Sequence, residues 1–172
     1  ALKEDDYVRL MLTTTSHQTI MLFTTHGRLH WANVYDLPIG SRTARGKPIQ
    51  NFIQLNEGEE VTAMLPVREF GEDEYVFMAT RRGQVKRTQL TAFSNIRNNG
   101  IIAMGLDAGD IVIGCGITDG NKRIMLFSNE GKAVHFEEQQ VRAMGRQAGG
   151  VRGMLFPDEA GQVVSLVITN EN

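Results

Sequence analysis

The sequence predicts an all-β protein built from repeated four-stranded units, about three of them, with one strand left over. Three observations carry the prediction. The segments IMLFTTHGRLHWANV, VFMATRRGQVKRTQL and IMLFSNEGKAVHFEE superimpose on their glycines, Gly27, Gly83 and Gly131. After each glycine the same features recur in the same order: a second glycine 19, 17 or 19 residues on (Gly46, Gly100, Gly150), an apolar run, an acidic turn with a third glycine (Gly58, Gly109, Gly161), and a last apolar run. A further copy of that last run, EDDYVRLMLTTT, stands near the start, and taking Val8, Val61, Val112 and Val164 as equivalent gives periods of 53, 51 and 52 residues. Four short strands in a period of roughly 50 residues is the pattern of propeller-like blades.

Each element follows from its local chemistry. Residues 7–14 form the leftover strand, which belongs to a preceding blade. The first unit, residues 19–67, opens with a hairpin: an apolar run, a hydroxyl three residues before Gly27, and an alternating segment after it. Glycine takes the positive φ of the turn and bulge, so hairpin turns are expected at residues 24–28, 80–84 and 128–132. Residues 36–50, rich in glycine, proline and basic side chains, make an arm, and residues 49–67 carry the unit's last two strands around Gly58. Residues 68–74 form a solvated loop. The second unit, residues 75–118, and the third, residues 123–169, repeat the plan, with residues 119–122 as a tight link and a polar tail at the end.

Composition sets broad limits. With 172 residues, 41% of them hydrophobic, the chain can bury a core. A net charge of −2 gives no global pull toward polyanions. The single cysteine, Cys115, excludes an intramolecular disulfide and fits a reducing cytoplasm. No apolar run reaches membrane-spanning length and the acidic start is unlike a signal peptide, so a cytoplasmic protein without a membrane partner is expected. The abrupt start and finish at strand ends suit a piece of a longer chain.

Charge is distributed unevenly within the repeat. Windows running from just before the hairpin glycine to just after the second glycine hold 13 of the 18 basic residues and four of the 20 acids, a net of +9 against −11 elsewhere. The basic residues are Arg28, Arg42, Arg45, Lys47, Arg81, Arg82, Lys86, Arg87, Arg97, Lys132, Arg142, Arg146 and Arg152. Equivalent parts of successive blades face the same way, so one rim is expected to be basic and another acidic. A basic rim repeated blade after blade is a curved track for duplex DNA, and all 13 are candidate phosphate contacts. The acidic turns at 57–60, 107–110 and 158–159 would repel DNA that strayed from it.

Catalytic chemistry finds little support. His17, His26, His30 and His135 lie at no metal-ligand spacing, so no metal site is expected. Cys115, between two glycines in an apolar strand, reads as a buried thiol. Glu137 and Glu138 are adjacent on a strand end and point to opposite faces, which suits solvation rather than acid–base catalysis. The eight methionines fall mostly in apolar runs and read as core. Trp31 and Phe136 occupy nearby positions of equivalent strands, where packing between blades is favoured over stacking on bases. The segment TRRGQVK lacks the spacing and the helix of an ATP phosphate loop. An enzyme with its site at a propeller axis would need convergent polar residues that are not evident.

The runs VYDLPIGSRTARGKPIQNFIQL, VFMATRRGQVKRTQLTAF and MLFSNEGKAVHFEEQQVRAMGRQAGGVRGM resemble the C-terminal domain of the DNA gyrase A protein over essentially the whole chain. The resemblance implies a β-pinwheel, a propeller-like ring whose neighbouring blades exchange strands. It implies a non-catalytic domain that binds and wraps duplex DNA on its outer rim, in an enzyme that is an ATP-dependent type II topoisomerase. ATP, Mg²⁺ and the strand-cleaving tyrosine would then belong to other parts, namely the N-terminal region of the gyrase A protein and the gyrase B protein of an A2B2 assembly, so Tyr7, Tyr35 and Tyr75 have no cleavage role and this stretch needs no cofactor. The family's box of the form QRRGGKG does not occur; a piece starting downstream of the box is expected to bind DNA without wrapping it. The topoisomerase IV A-type subunit is a second reading within the family. A propeller-type module that binds an acidic protein is a reading outside it, separable by salt-dependent binding to arbitrary duplex.

Overall fold

The apolar runs flanking each hairpin glycine are long enough for one strand each and contain no helix period, and they become the central strands of three antiparallel sheets. A computed structural model describes residues 19–33 and 53–170. These contain β1 (Thr19–Thr24), β2 (Arg28–Asn33), β3 (Val61–Val67), β4 (Tyr75–Thr80), β5 (Gln84–Gln89), β6 (Ile101–Ile102), β7 (Val112–Thr118), β8 (Lys122–Ser128), β9 (Ala133–Glu137), β10 (Val151–Arg152) and β11 (Val163–Asn170). Helix among the described residues is confined to two 3-10 turns, Leu90–Phe93 and Glu138–Gln140. The strand expected at residues 7–14, and the first arm with Arg42, Arg45 and Lys47, lie outside the described residues.

The three hairpins fall where expected, and the repeated hydroxyl now has a reason. Gly27, Gly83 and Gly131 take φ of 75°, 93° and 78°. The bulge leaves the next residue's N–H without a strand partner, and the hydroxyl of Thr24, Thr80 or Ser128 accepts it from Arg28, Gln84 or Lys132 at 3.3, 3.0 and 3.0 Å.

The sheets run β3-β1-β2-β6, β10-β5-β4-β7 and β11-β8-β9. The third strands of the second and third units therefore leave their own blades. Ile101–Ile102, from the second unit, pairs with Leu29 and Arg28 of blade one, and Val151–Arg152, from the third, pairs with Val85 and Gln84 of blade two. This is the strand exchange of a pinwheel, so the repeat in the sequence and the blade in space are out of step by one strand.

Inner edges are formed by β3, β7 and β11, with β7 lying against both others. Gly114 and Gly116 leave slots on β7 into which Leu166 and Ile168 of β11 project; a Cβ on Gly116 would lie 2.3 Å from the Ile168 Cδ1. The core lies between blades. Met21 and Phe23 of β1 meet Val76 and Met78 of β4 in one cluster, while Phe77 and Ala79 on the other face of β4 meet Ile124 and Leu126 of β8 in a second. Burial on both faces explains why these strands read as unbroken apolar runs rather than alternating ones. Cys115 packs against the first cluster, and burial pushes its thiol pKa up.

Candidate nucleic-acid interface

The hairpin tips fold onto the acidic turns of their own units. Thr25 N–H donates to the Glu60 carbonyl at 2.8 Å, Arg81 N–H to the Ile111 carbonyl at 2.9 Å and Asn129 N–H to the Gln162 carbonyl at 2.9 Å. The expected separation of a basic from an acidic rim therefore fails at the tips, because residues about 30 apart in the chain are adjacent in space. Arg28 pairs with buried Glu59 at 3.0 Å. Burial alone would raise the Glu59 pKa, but donation from Thr24 Oγ1 (2.5 Å) and the Asn56 N–H, with the Arg28 and His26 charges, holds it below the usual carboxylate value. Arg81 Nη2 donates to the Gly109 carbonyl at 2.8 Å. Arg82 reaches the next unit, donating to the carbonyls of Asp158, Glu159 and Gly161 at 3.1, 2.9 and 2.6 Å and lying over the Phe156 ring. The Asp110 and Asp158 carboxylates in turn accept backbone N–H groups. These arginines staple turns together.

Lys86 and Arg87 are corrected more firmly as phosphate contacts, because both are buried. Lys86 is fully enclosed, with Nζ donating to the carbonyls of Ala103 and Arg146, each at 2.5 Å. Arg87 stacks over Tyr75 at 4.4 Å and pairs with Glu138 at 3.3 Å. Glu138 is not a solvated side chain either: fully buried, it also accepts from Thr118 Oγ1 at 2.8 Å and Lys122 N–H at 2.7 Å, closing the joint between blades two and three. Trp31 packs between blades and donates from Nε1 to the Phe93 carbonyl at 3.1 Å, and Phe136 packs near Phe77. His30 is buried with Nε2 unpaired; burial and the Arg28 charge lower its pKa, against a smaller opposing effect of Glu59. His26 and His135 are exposed, and the described residues contain no cluster of three or more His, Cys, Asp or Glu that could hold a metal ion.

Of the candidate basic residues that remain open among the described residues, all but Lys132 lie on the arms and their exchanged strands. Residues 90–100 run from blade two back to the edge of blade one, and residues 138–150 run from blade three along the edge of blade two, where Met144 N–H donates to the Arg87 carbonyl at 2.8 Å. Arg97 is exposed on the first arm, Arg142 on the second and Arg152 on β10, with Arg146 half-buried. Lys132 is exposed on the third hairpin, its Nζ donating to the Leu155 carbonyl at 3.1 Å. Since the inner edges face one another through β7, the arms form the outer edge.

Three-stranded hairpin blades, the first two each completed by a strand and a basic arm from the next unit, define the chain as a pinwheel-type domain. The family model described as the DNA gyrase C-terminal domain, beta-propeller, matches residues 18–68, 74–119 and 122–170, and the chain belongs to that family. It is 50% identical over 167 residues to the DNA gyrase A protein of Salmonella typhimurium, covering 97% of this chain and 19% of that one. The Haemophilus influenzae gyrase A protein is 52% identical over 153 residues, 89% of this chain and 17% of that one. The chain thus spans about a fifth of the length of these relatives. Among solved structures, the C-terminal domain of a DNA topoisomerase IV matches with a TM-score of 0.83 at 28% identity, over 92% of this chain and 49% of that one. A DNA gyrase A C-terminal domain matches in fold with a TM-score of 0.72 at 23% identity, over 90% and 49%.

Proposed function

We propose that this chain binds duplex DNA along the outer edge formed by its arms, as the DNA-holding part of a bacterial gyrase A protein. The observation that carries this reading is the exposure of Arg97, Arg142 and Arg152 on successive arms and exchanged strands, while the hairpin arginines are spent on internal carbonyls. Arg146 and Lys132 extend the same surface. The chain itself supplies position and charge rather than bond chemistry. Strand cleavage, ATP and Mg²⁺ would belong to the rest of the gyrase A protein and to the gyrase B protein in an A2B2 enzyme working at the bacterial nucleoid.

A phosphate-tracking surface loses affinity with salt whatever the DNA sequence, with a log–log slope of about 0.9 per phosphate contact. The triple variant R97E/R142E/R152E is therefore expected to weaken binding to any duplex and to reduce that slope by about three units, measured by fluorescence anisotropy across a salt series. Neutralising the hairpin tips with R81Q/R82Q should leave the slope within about one unit of the original. An unchanged slope in the triple variant would remove the arms from the interface.

A further inference from the structure

We propose that Lys86 is the positioning residue of the DNA-facing edge: it clamps the second arm from beneath and so fixes where Arg146 stands. The proposal rests on the reading of the arms as the DNA surface. Lys86 lies on β5 of blade two, yet its ammonium bonds nothing in that blade. One bond goes to the Ala103 carbonyl, just past the strand that the second unit lends to blade one, and the other to the Arg146 carbonyl in the middle of the third unit's arm. One side chain thus ties the products of two successive strand exchanges to the blade between them.

Its surroundings are unlike those of a packing residue. The two partners are neutral carbonyls, and burying an ammonium without a carboxylate beside it is unfavourable. Burial, together with the nearby Arg146 charge, accordingly lowers the Lys86 pKa to about 8. Packing alone does not call for a cation there. Counting from the hairpin glycines, the same position is His30 in blade one and Val134 in blade three. The buried Nε2 of His30 has no partner, whereas the Lys86 ammonium makes two bonds.

The clamp falls at the centre of the arm's attachment. On one side of Arg146, Met144 N–H donates to the Arg87 carbonyl at 2.8 Å; on the other, the Ala148 carbonyl accepts from Gly105 N–H at 3.1 Å. Releasing the Arg146 carbonyl would leave residues 145–147, between these anchors, without a hold on blade two, and Arg146 moves with that backbone, whereas Arg142 stands outside the span, beside the Ala143–Arg87 bridge. Phosphate contacts made from a loose arm must first order it, which subtracts from affinity.

The test combines K86M, which keeps an apolar stem and removes the ammonium, with R142A/R146A in a double-mutant cycle. Duplex affinity is read by anisotropy and amide exchange by NMR. K86M is expected to weaken binding about fivefold to tenfold in the original background but less than about twofold in R142A/R146A, since coupled residues are not additive. Exchange at the Met144 and Gly105 amides should quicken while the Gly83 amide, in the hairpin, stays protected. Equal losses in both backgrounds, or faster exchange at all three amides alike, would reduce Lys86 to a stability residue and overturn the proposal. So would a folded K86M with unchanged affinity when R142A/R146A alone is weakened. If R142A/R146A itself binds normally, the reading of the arm as a DNA surface falls and the proposal falls with it.

Discussion

Replacing Glu138 with alanine is expected to destabilise the protein by about 3–5 kcal/mol, the usual cost of removing one member of a buried ion pair. The Glu138 side chain has no exposed surface and that of Arg87 is only 11% exposed, so the arginine left behind cannot recover its hydration. The Thr118 hydroxyl and the Lys122 N–H lose an acceptor in the same step. The loss falls on the joint between blades two and three, where the third unit's arm sets out. Glu137, its exposed neighbour, gives the comparison: E137A loses only the cap that its carboxylate gives the Gln140 N–H, so it should cost no more than about 1 kcal/mol. Urea unfolding of the two variants measures both values. A loss below about 1 kcal/mol for E138A would mean that the ion pair is held too loosely to matter.

The second large effect separates two glycines that look the same in the sequence. Both Gly83 and Gly131 sit at positive φ, where alanine costs about 1–2 kcal/mol. For G131A that is the whole expected cost, because a Cβ there would meet nothing within 4 Å. At Gly83 the Cβ would lie 2.2 Å from the Met154 carbonyl oxygen, and the Gly83 carbonyl accepts N–H bonds from Gly153 and Met154 at 2.7 and 3.2 Å. A side chain there drives out the segment that leads from β10 to the third unit's turn. G83A is therefore expected to cost at least about 4 kcal/mol, well above G131A in the same unfolding assay. Equal costs would show that the exchanged segment yields freely.

The sequence revealed the fold through signals that act over a few residues. Apolar runs, a hydroxyl and a glycine at fixed spacing place the hairpins because turn chemistry is local. Strand exchange left no such mark: IIAMG and VRGML follow their arms whether the chain stays in its own blade or crosses to the one before. The basic surface was legible in the arms and misread at the hairpins, since a window along the chain cannot show that Thr25 meets Glu60 or that Arg82 reaches Gly161. A clue to the buried charges did exist. Arg87 occupies the position of Trp31, and Glu138 aligns with Leu90, which is buried at the start of the other arm. A charged residue at a position that is apolar in a sister repeat calls for a buried partner: Arg87 and Glu138 partner each other, and Lys86, which aligns with Val134, finds two carbonyls.

Strand exchange also gives the molecule a direction in time. Blade one ends its own strands at Val67 but is not closed until Ile102, 35 residues later, is available to pair with Arg28. During synthesis at about 5–20 residues per second, that edge stands open for roughly two to seven seconds before its cover leaves the ribosome. Blade two then waits in the same way for Val151–Arg152. Maturation therefore trails translation by most of a repeat, and the newest edge is always an unpaired strand able to take a wrong partner.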